Sequence, residues 1–309
     1  MIMPSARRFD QAAAFPELVE LRESTRAADW TAIELFFAGL SDVDMTVYAV
    51  KVVADVAGAE EFLEQLPPSP LARRLLAARH VSKAWEVRSA KRARHVTRDQ
   101  FEGMHELLRR AEPILIELTA EDPADVVAWA FRLNTARGLQ LGQSEARRRY
   151  DRLARVAPHC FAAQSRLLQQ LCPKWSGSWE AAHSFARQCL DAAPPGSLSP
   201  AVVGEAHLEH YLDLEGSDRG RYLAKVSVQQ EIRAAADKSV LHPGFFGGYH
   251  WPQAHGVFAV LFAEMGDHRR AAAHFEALGD AGSEYPWTMF GDPAAGFARL
   301  RGLSAGGAQ

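Results

Sequence analysis

The chain has 309 residues, 48% apolar and 24% charged, and a formal charge of −3. That length buries a sizeable core, and near-neutrality excludes a global field that would draw the protein to nucleic acid or an anionic membrane. The longest apolar run, VFAVLFA at 257–263, is too short to span a bilayer; Cys160, Cys172 and Cys189 contain no CxxC pair, which fits reduced thiols in a cytoplasmic setting better than a disulfide framework or zinc knuckle.

In chain order, the opening MIMPSARRFDQAAAFPE has two arginines without an apolar stretch behind them, so it does not read as a signal peptide. Asp29-Trp30, followed by Ile33, Phe37 and Leu40, is a weak echo of the repeat register described below. VYAVKVVADV at 47–56 is the best strand candidate, but its apolar residues fit a buried helix equally well and its helical neighbours decide for helix. The basic stretch 73–98 carries Arg73, Arg74, Arg79, Lys83, Arg88, Lys91, Arg92, Arg94 and Arg98 around the apolar stripe Leu75, Leu76, Val81 and Trp85. A solvated face paired with carboxylates is favoured there over an anion site. Thr97 to Gln100 forms a capping box opening a helix through about Leu118. Asp122-Pro123, Ser199-Pro200 and Asp292-Pro293 each read as a helix start, with proline at the first helical position.

Prolines at 123, 158 and 194 recur at a spacing in the mid-thirties, which predicts a two-helix repeat. The stretch 254–279 places Phe258, Ala259, Phe262, Gly266, Ala271 and Phe275 in the register of such a repeat. The 124–158 stretch offers Leu133, Gly142, Ala146, Tyr150 and Pro158, and 160–194 offers Leu168, Gly177, Ala181, Phe185 and Pro194. Small residues allow close helix approach, aromatics fill the seam and glycine permits the turn. On these residues the chain resembles tetratricopeptide-like (TPR-like) helical-repeat proteins. The strings CPKWSGSWEAAHSFAR, HLEHYLDL and SVLHP are also similar to an uncharacterised group of actinobacterial proteins of that shape. The resemblance implies an all-α, right-handed superhelix of antiparallel helix pairs. The segments EGSDRGR (215–221) and PGFFGGYHWP (243–252) break the period. The expected organisation is an irregular helical part to residue 120, repeats over 121–303 and a flexible tail at 304–309.

Four features could carry chemistry. LCPKWSGSWEAAHSF (171–185) is dense in reactive side chains, but the repeat register makes Cys172 a packing residue and Ser178 a helix cap. In EAHLEHYLDLE, His207 and His210 share a helix face beside Tyr211, and Trp251, His250 and His255 begin the next expected inner helix. Convergence of His207, His210, His250 and His255 would supply acid/base groups or metal ligands, although ordinary hydrogen-bonded histidines are favoured and no metal or cofactor is expected. Asn134 and Gln169 fall where a small apolar residue is usual, with Arg137 one turn past Asn134, so each needs a partner or a ligand. Phosphate loops, GxSxG, HExxH and paired-cysteine metal motifs do not occur.

These residues point first to a binding protein. Asn134, Arg137, Gln169, His207, His210, Tyr211, Trp251 and His255 would hold a protein segment or small molecule in a concave groove, without nucleic acid or membrane, with a homodimer as one option for assembly. The competing expectation is an enzyme with the same groove closed around His207, His210 and His255. Seven of the twelve histidines lie beyond residue 205, which favours that alternative.

Overall fold

The computed structural model describes residues 9–89 and 95–306, so Lys91, Arg92 and Arg94 of the basic stretch lie outside the described residues. Among the described residues there are seventeen α-helices and no strand. None of these helices is long and apolar enough to cross a membrane. The chain divides into two compact units, Glu17–Gln170 and the pairing of Met1–Pro16 with Leu171–Gln309. The division falls within the stretch 160–194.

The first unit contains α1 (Pro16–Arg26), α2 (Trp30–Ala38), α3 (Val43–Ala54), α4 (Ala59–Leu63), α5 (Pro70–Arg88), α6 (Arg98–Glu121), α7 (Val126–Gly138), α8 (Gln143–Ala154) and most of α9 (Phe161–Leu171). Helix α3 is the segment with strand-like composition. Asp42 caps it by accepting from Met45 N at 2.8 Å, and Val47 through Val50, Val52, Val53 and Ala54 are all buried. Burial on several faces is what tolerates so many β-branched residues in one helix. Asp44 of α3 also reaches the start of α9, its two oxygens accepting from Phe161 N at 2.8 Å and Ala162 N at 2.9 Å. A carboxylate there satisfies orphan amides and meets the positive end of the helix dipole.

The capping box of α6 forms as expected, with Gln100 N donating to Thr97 Oγ1 and Thr97 N to Gln100 Oε1. Asp122-Pro123 does not start a helix. Asp122 ends α6 and its side chain accepts from Ala124 N, while Asp125 caps α7 through Ala128 N. The described cations of the basic stretch mostly find carboxylates: Arg73 pairs with Glu121, Arg74 with Asp125, Arg79 with Glu60 and Glu86, and Lys83 with Glu60. Arg88 instead lies over the Trp85 ring.

The second unit contains α10 (Trp179–Ala192), α11 (Ala201–Asp213), α12 (Ser217–Leu223), α13 (Val226–Lys238), α14 (Trp251–Glu264), α15 (His268–Leu278), α16 (Glu284–Trp287) and α17 (Pro293–Gly306). Helix α11 packs against α10, α13 and α14, and α14 against α15. In the α14–α15 hairpin Phe258, Ala259, Phe262 and Ala271 are fully buried, as the repeat register predicts. The turns of this hairpin and of α7–α8 use Gly266 (φ +73°) and Gly142 (φ +88°), a backbone region that favours glycine. Asp292-Pro293 starts α17 as expected, its carboxylate accepting from Ala294 N and Ala295 N. At Ser199-Pro200 the proline immediately precedes α11 and no side chain caps that helix. Residues 304–306 are not a loose tail, because α17 runs to Gly306 and Ser304 is buried.

Residues 9–16 belong to this second unit. Gln11 donates to the Tyr249 carbonyl, Phe15 meets the Tyr249 ring edge-on at 4.9 Å, and Phe9 approaches Phe297.

Candidate functional site

The densest polar cluster of the second unit is built by α10, α11, α12 and α13. On α10, Trp179, His183 and Arg187 recur every four residues and so form one stripe. The stripe meets the face of α11 that carries His207, His210 and Asp213. Trp179 stacks on the His210 imidazole at 4.4 Å with an interplanar angle of 1°, and its indole N–H donates to Asp213 at 3.3 Å. Tyr222, near the end of short helix α12, and Glu231, on α13, complete the group.

The turn that orients α10 is specified locally. Ser178 caps the helix by accepting from Ala181 N, and its own N–H donates to the Leu171 carbonyl at 2.9 Å. That hairpin brings Gly177 against Leu171, where a Cβ would lie 1.9 Å from the carbonyl oxygen. Cys172 is fully buried, directly after α9 ends; Cys160 and Cys189 are likewise buried, and none of the three forms a disulfide. Lys174, exposed at the turn, reaches the buried Glu209 carboxylate at 2.7 Å. Ala181 is only half-buried, and Ala182 fills the seam beside Phe185 instead.

The hydrogen bonds of the cluster form a chain. His207 Nε2 lies 3.1 Å from Glu231 Oε2, and His207 Nδ1 lies 2.6 Å from the Tyr222 hydroxyl. The Tyr222 oxygen is 3.3 Å from His183 Nε2, which is 2.9 Å from His210 Nδ1. Arg187 holds the other Glu231 oxygen at 3.2 Å. A carboxylate only accepts, so His207 donates from Nε2, and its Nδ1 then accepts from the Tyr222 hydroxyl. This orders the cluster as a relay from Tyr222 through His207 to Glu231.

Burial is graded across the group. His207 and Tyr222 are buried, whereas His183, His210, Glu231 and Trp179 are half-buried. Burial, then the neighbouring His207 and His210, push His183 down to about 3. Burial and His207 push His210 down to about 4. The His207 hydrogen bond holds Glu231 below its ordinary value, and burial with the Glu231 charge raises Tyr222. At neutral pH the site thus presents neutral His183 and His210 imidazoles, a protonated phenol and a carboxylate that already has two partners.

Sequence reasoning placed His207 and His210 on one face, and the structure does so. It separates them from the other expected members. His255 meets His274, Nδ1 to Nδ1 at 3.1 Å, with Phe245 and Trp251 around it. His250 is buried in the turn before α14. The set His207, His210, His250 and His255 is therefore not the metal-competent group. Among the described residues one group of three offers ligand atoms within 4.8 Å of one another: His183, His207 and Glu231. Tyr211 is buried and donates to Glu264 at 2.9 Å. In the first unit, Arg137 lies over Trp85 and Gln169 is half-buried. Asn134 Oδ1 is buried and accepts no hydrogen bond from any described residue, so the departure noticed in the sequence is real.

His183, Tyr222 and Glu231 were missed as site residues. The one available signal was the EGSDRGR interruption of the expected period, which ends just before Tyr222 and lies largely in short helix α12.

The chain matches no protein-family model, no curated protein and no solved structure.

Proposed function

We propose that this chain is a ligand-binding helical protein, of the TPR-like repeat kind, and that the His183–His207–His210–Tyr222–Glu231 cluster is its binding site. The observation that carries the reading is the graded burial of one continuous hydrogen-bonded chain. Its inner members, His207 and Tyr222, are buried, and its outer members, His183, His210 and Glu231, retain access to solvent. A structural network gains nothing from keeping three imidazoles together at a partly open face, whereas a binding site gains convergent donors and acceptors beside an aromatic platform. The scale of the group suits a small polar ligand or a single side chain of a protein segment. The helix pairs α7–α8 and α14–α15, each with a left-handed glycine at its turn, support the repeat assignment.

An enzyme reading draws on a different observation, the Tyr222–His207–Glu231 order. A carboxylate that orients an imidazole against a hydroxyl is the arrangement of an activated general base. In that reading Glu231→Gln abolishes turnover while ligand affinity changes little. For the binding reading, thermal-shift screening of small polar ligands and metal ions is the test. Hits should lose their stabilisation in Trp179→Ala and His210→Ala and retain it in His105→Ala, in the other unit. Equal stabilisation in all variants would remove the cluster from the function.

A further inference from the structure

The geometry points to a divalent transition-metal site formed by His183, His207 and Glu231, with zinc the best-suited ion. This rests on the reading of the cluster as a ligand site and names its ligand. The three side chains come from three different helices, α10, α11 and α13, so their approach to within 4.8 Å is a product of the tertiary fold rather than of local spacing. Two imidazoles and one carboxylate, with further positions left for water or substrate, form a common donor set for zinc and related first-row ions.

One pair of donors already has the spacing such an ion needs, and the third lies within 4.8 Å of both. Donors bound at about 2.0–2.1 Å in near-tetrahedral geometry lie roughly 3.3 Å apart, and His207 Nε2 is 3.1 Å from Glu231 Oε2. The surroundings suit one as well. A metal-bound imidazole needs its second nitrogen held by an acceptor, and the Tyr222 oxygen stands 2.6 Å from His207 Nδ1. Moving the single imidazole proton of His207 from Nε2 to Nδ1 turns that N–H toward Tyr222. The Nε2 lone pair is then free for the ion, and the Tyr222 hydroxyl turns from donor to acceptor. Arg187 engages Oε1 of Glu231 and leaves Oε2 directed at His207. His210, 2.9 Å from His183, fixes that ring and stacks beneath Trp179, so the group is held before any ion arrives.

The test uses full-length protein stripped with chelator and titrated with Co²⁺, followed by its visible absorption, and with Zn²⁺ by calorimetry. We expect one ion per chain, with affinity reduced at least ~10-fold in His183→Ala and Glu231→Gln and reduced in Tyr222→Phe. His105→Ala should be unchanged. Circular dichroism of each variant keeps loss of binding separate from loss of fold, and His183→Ala, at a half-buried position, is the variant that best preserves the core. Absence of stoichiometric binding, or binding unaltered in His183→Ala and Glu231→Gln, overturns the assignment. If Co²⁺ and Zn²⁺ fail while a small organic ligand still loses its thermal shift in Trp179→Ala, the metal assignment falls and the ligand site stands.

Discussion

Replacing His255 by phenylalanine makes the protein less sensitive to acid. His255 and His274 meet through their Nδ1 atoms at 3.1 Å, so one donates and the other accepts. Protonating both would break that bond and place two charges in the core. His274 is wholly buried, its ring stacked against Phe258 at 5.7 Å and Phe262 at 5.4 Å. Burial pushes His255 down to about 4, and burial, then His255 and Arg270, push His274 well below its ordinary value. In the unfolded chain such groups titrate near 6.5. Below that pH the unfolded chain takes up protons that the folded pair refuses. The His255 contribution is therefore complete above 6.5 and is lost progressively as the pH falls to about 4. At about 1.4 kcal/mol per pH unit this amounts to about 3 kcal/mol. Urea unfolding of wild type and His255→Phe between pH 4 and pH 7 measures it. The variant should be less stable at pH 7 by about 1–2 kcal/mol, having stranded His274 Nδ1, and should recover about 3 kcal/mol relative to wild type by pH 4. Parallel stability curves for the two proteins would refute the buried neutral pair.

Other outcomes follow from the same contacts. Gly177→Ala should cost about 3 kcal/mol or more in chemical denaturation, because its Cβ would collide with backbone atoms of Leu171 rather than with a side chain that could move. Tyr222→Phe should cost about 1–3 kcal/mol, since it leaves a buried His207 nitrogen without its donor. Burial alone would raise Glu60, but hydrogen bonds from Lys83 and Arg79 outweigh it and hold Glu60 at about 2. Its contribution is present above about 4.5 and lost as the pH falls through about 2, so Glu60→Gln should lower stability at pH 7 and not at pH 2. Solvent screening around the partly exposed Lys83 limits that loss to about 1–2 kcal/mol.

The all-helical character was legible because it is written in local signals. The Thr97 capping box and the Asp292-Pro293 start each depend on residues within one turn, and each forms as read. The Asp122-Pro123 reading failed by three residues because a second capping aspartate, Asp125, competes for the helix start and wins. The cluster was half legible. His207 and His210 declare their common face by spacing, but His183 and Glu231 arrive from other helices, and no periodicity encodes which helices meet. The expected convergence with His255 assumed neighbouring inner helices of a regular repeat. The α12–α13 segment, which EGSDRGR opens, instead supplies Tyr222 and Glu231 to His207, while His255 turns to His274. Lys174 and Trp179, more than a plain turn requires, are accounted for by Glu209 and His210.

The claim that the cluster binds a ligand is tested most directly by histidine ring nitrogen resonances, recorded on metal-stripped protein before and after one equivalent of Zn²⁺. The account predicts that one nitrogen each of His183 and His207 moves to a metal-bound shift, that the His207 proton changes from Nε2 to Nδ1, and that His255 and His274 stay unmoved. Unchanged His183 and His207 resonances, or changes confined to His255 and His274, would contradict it.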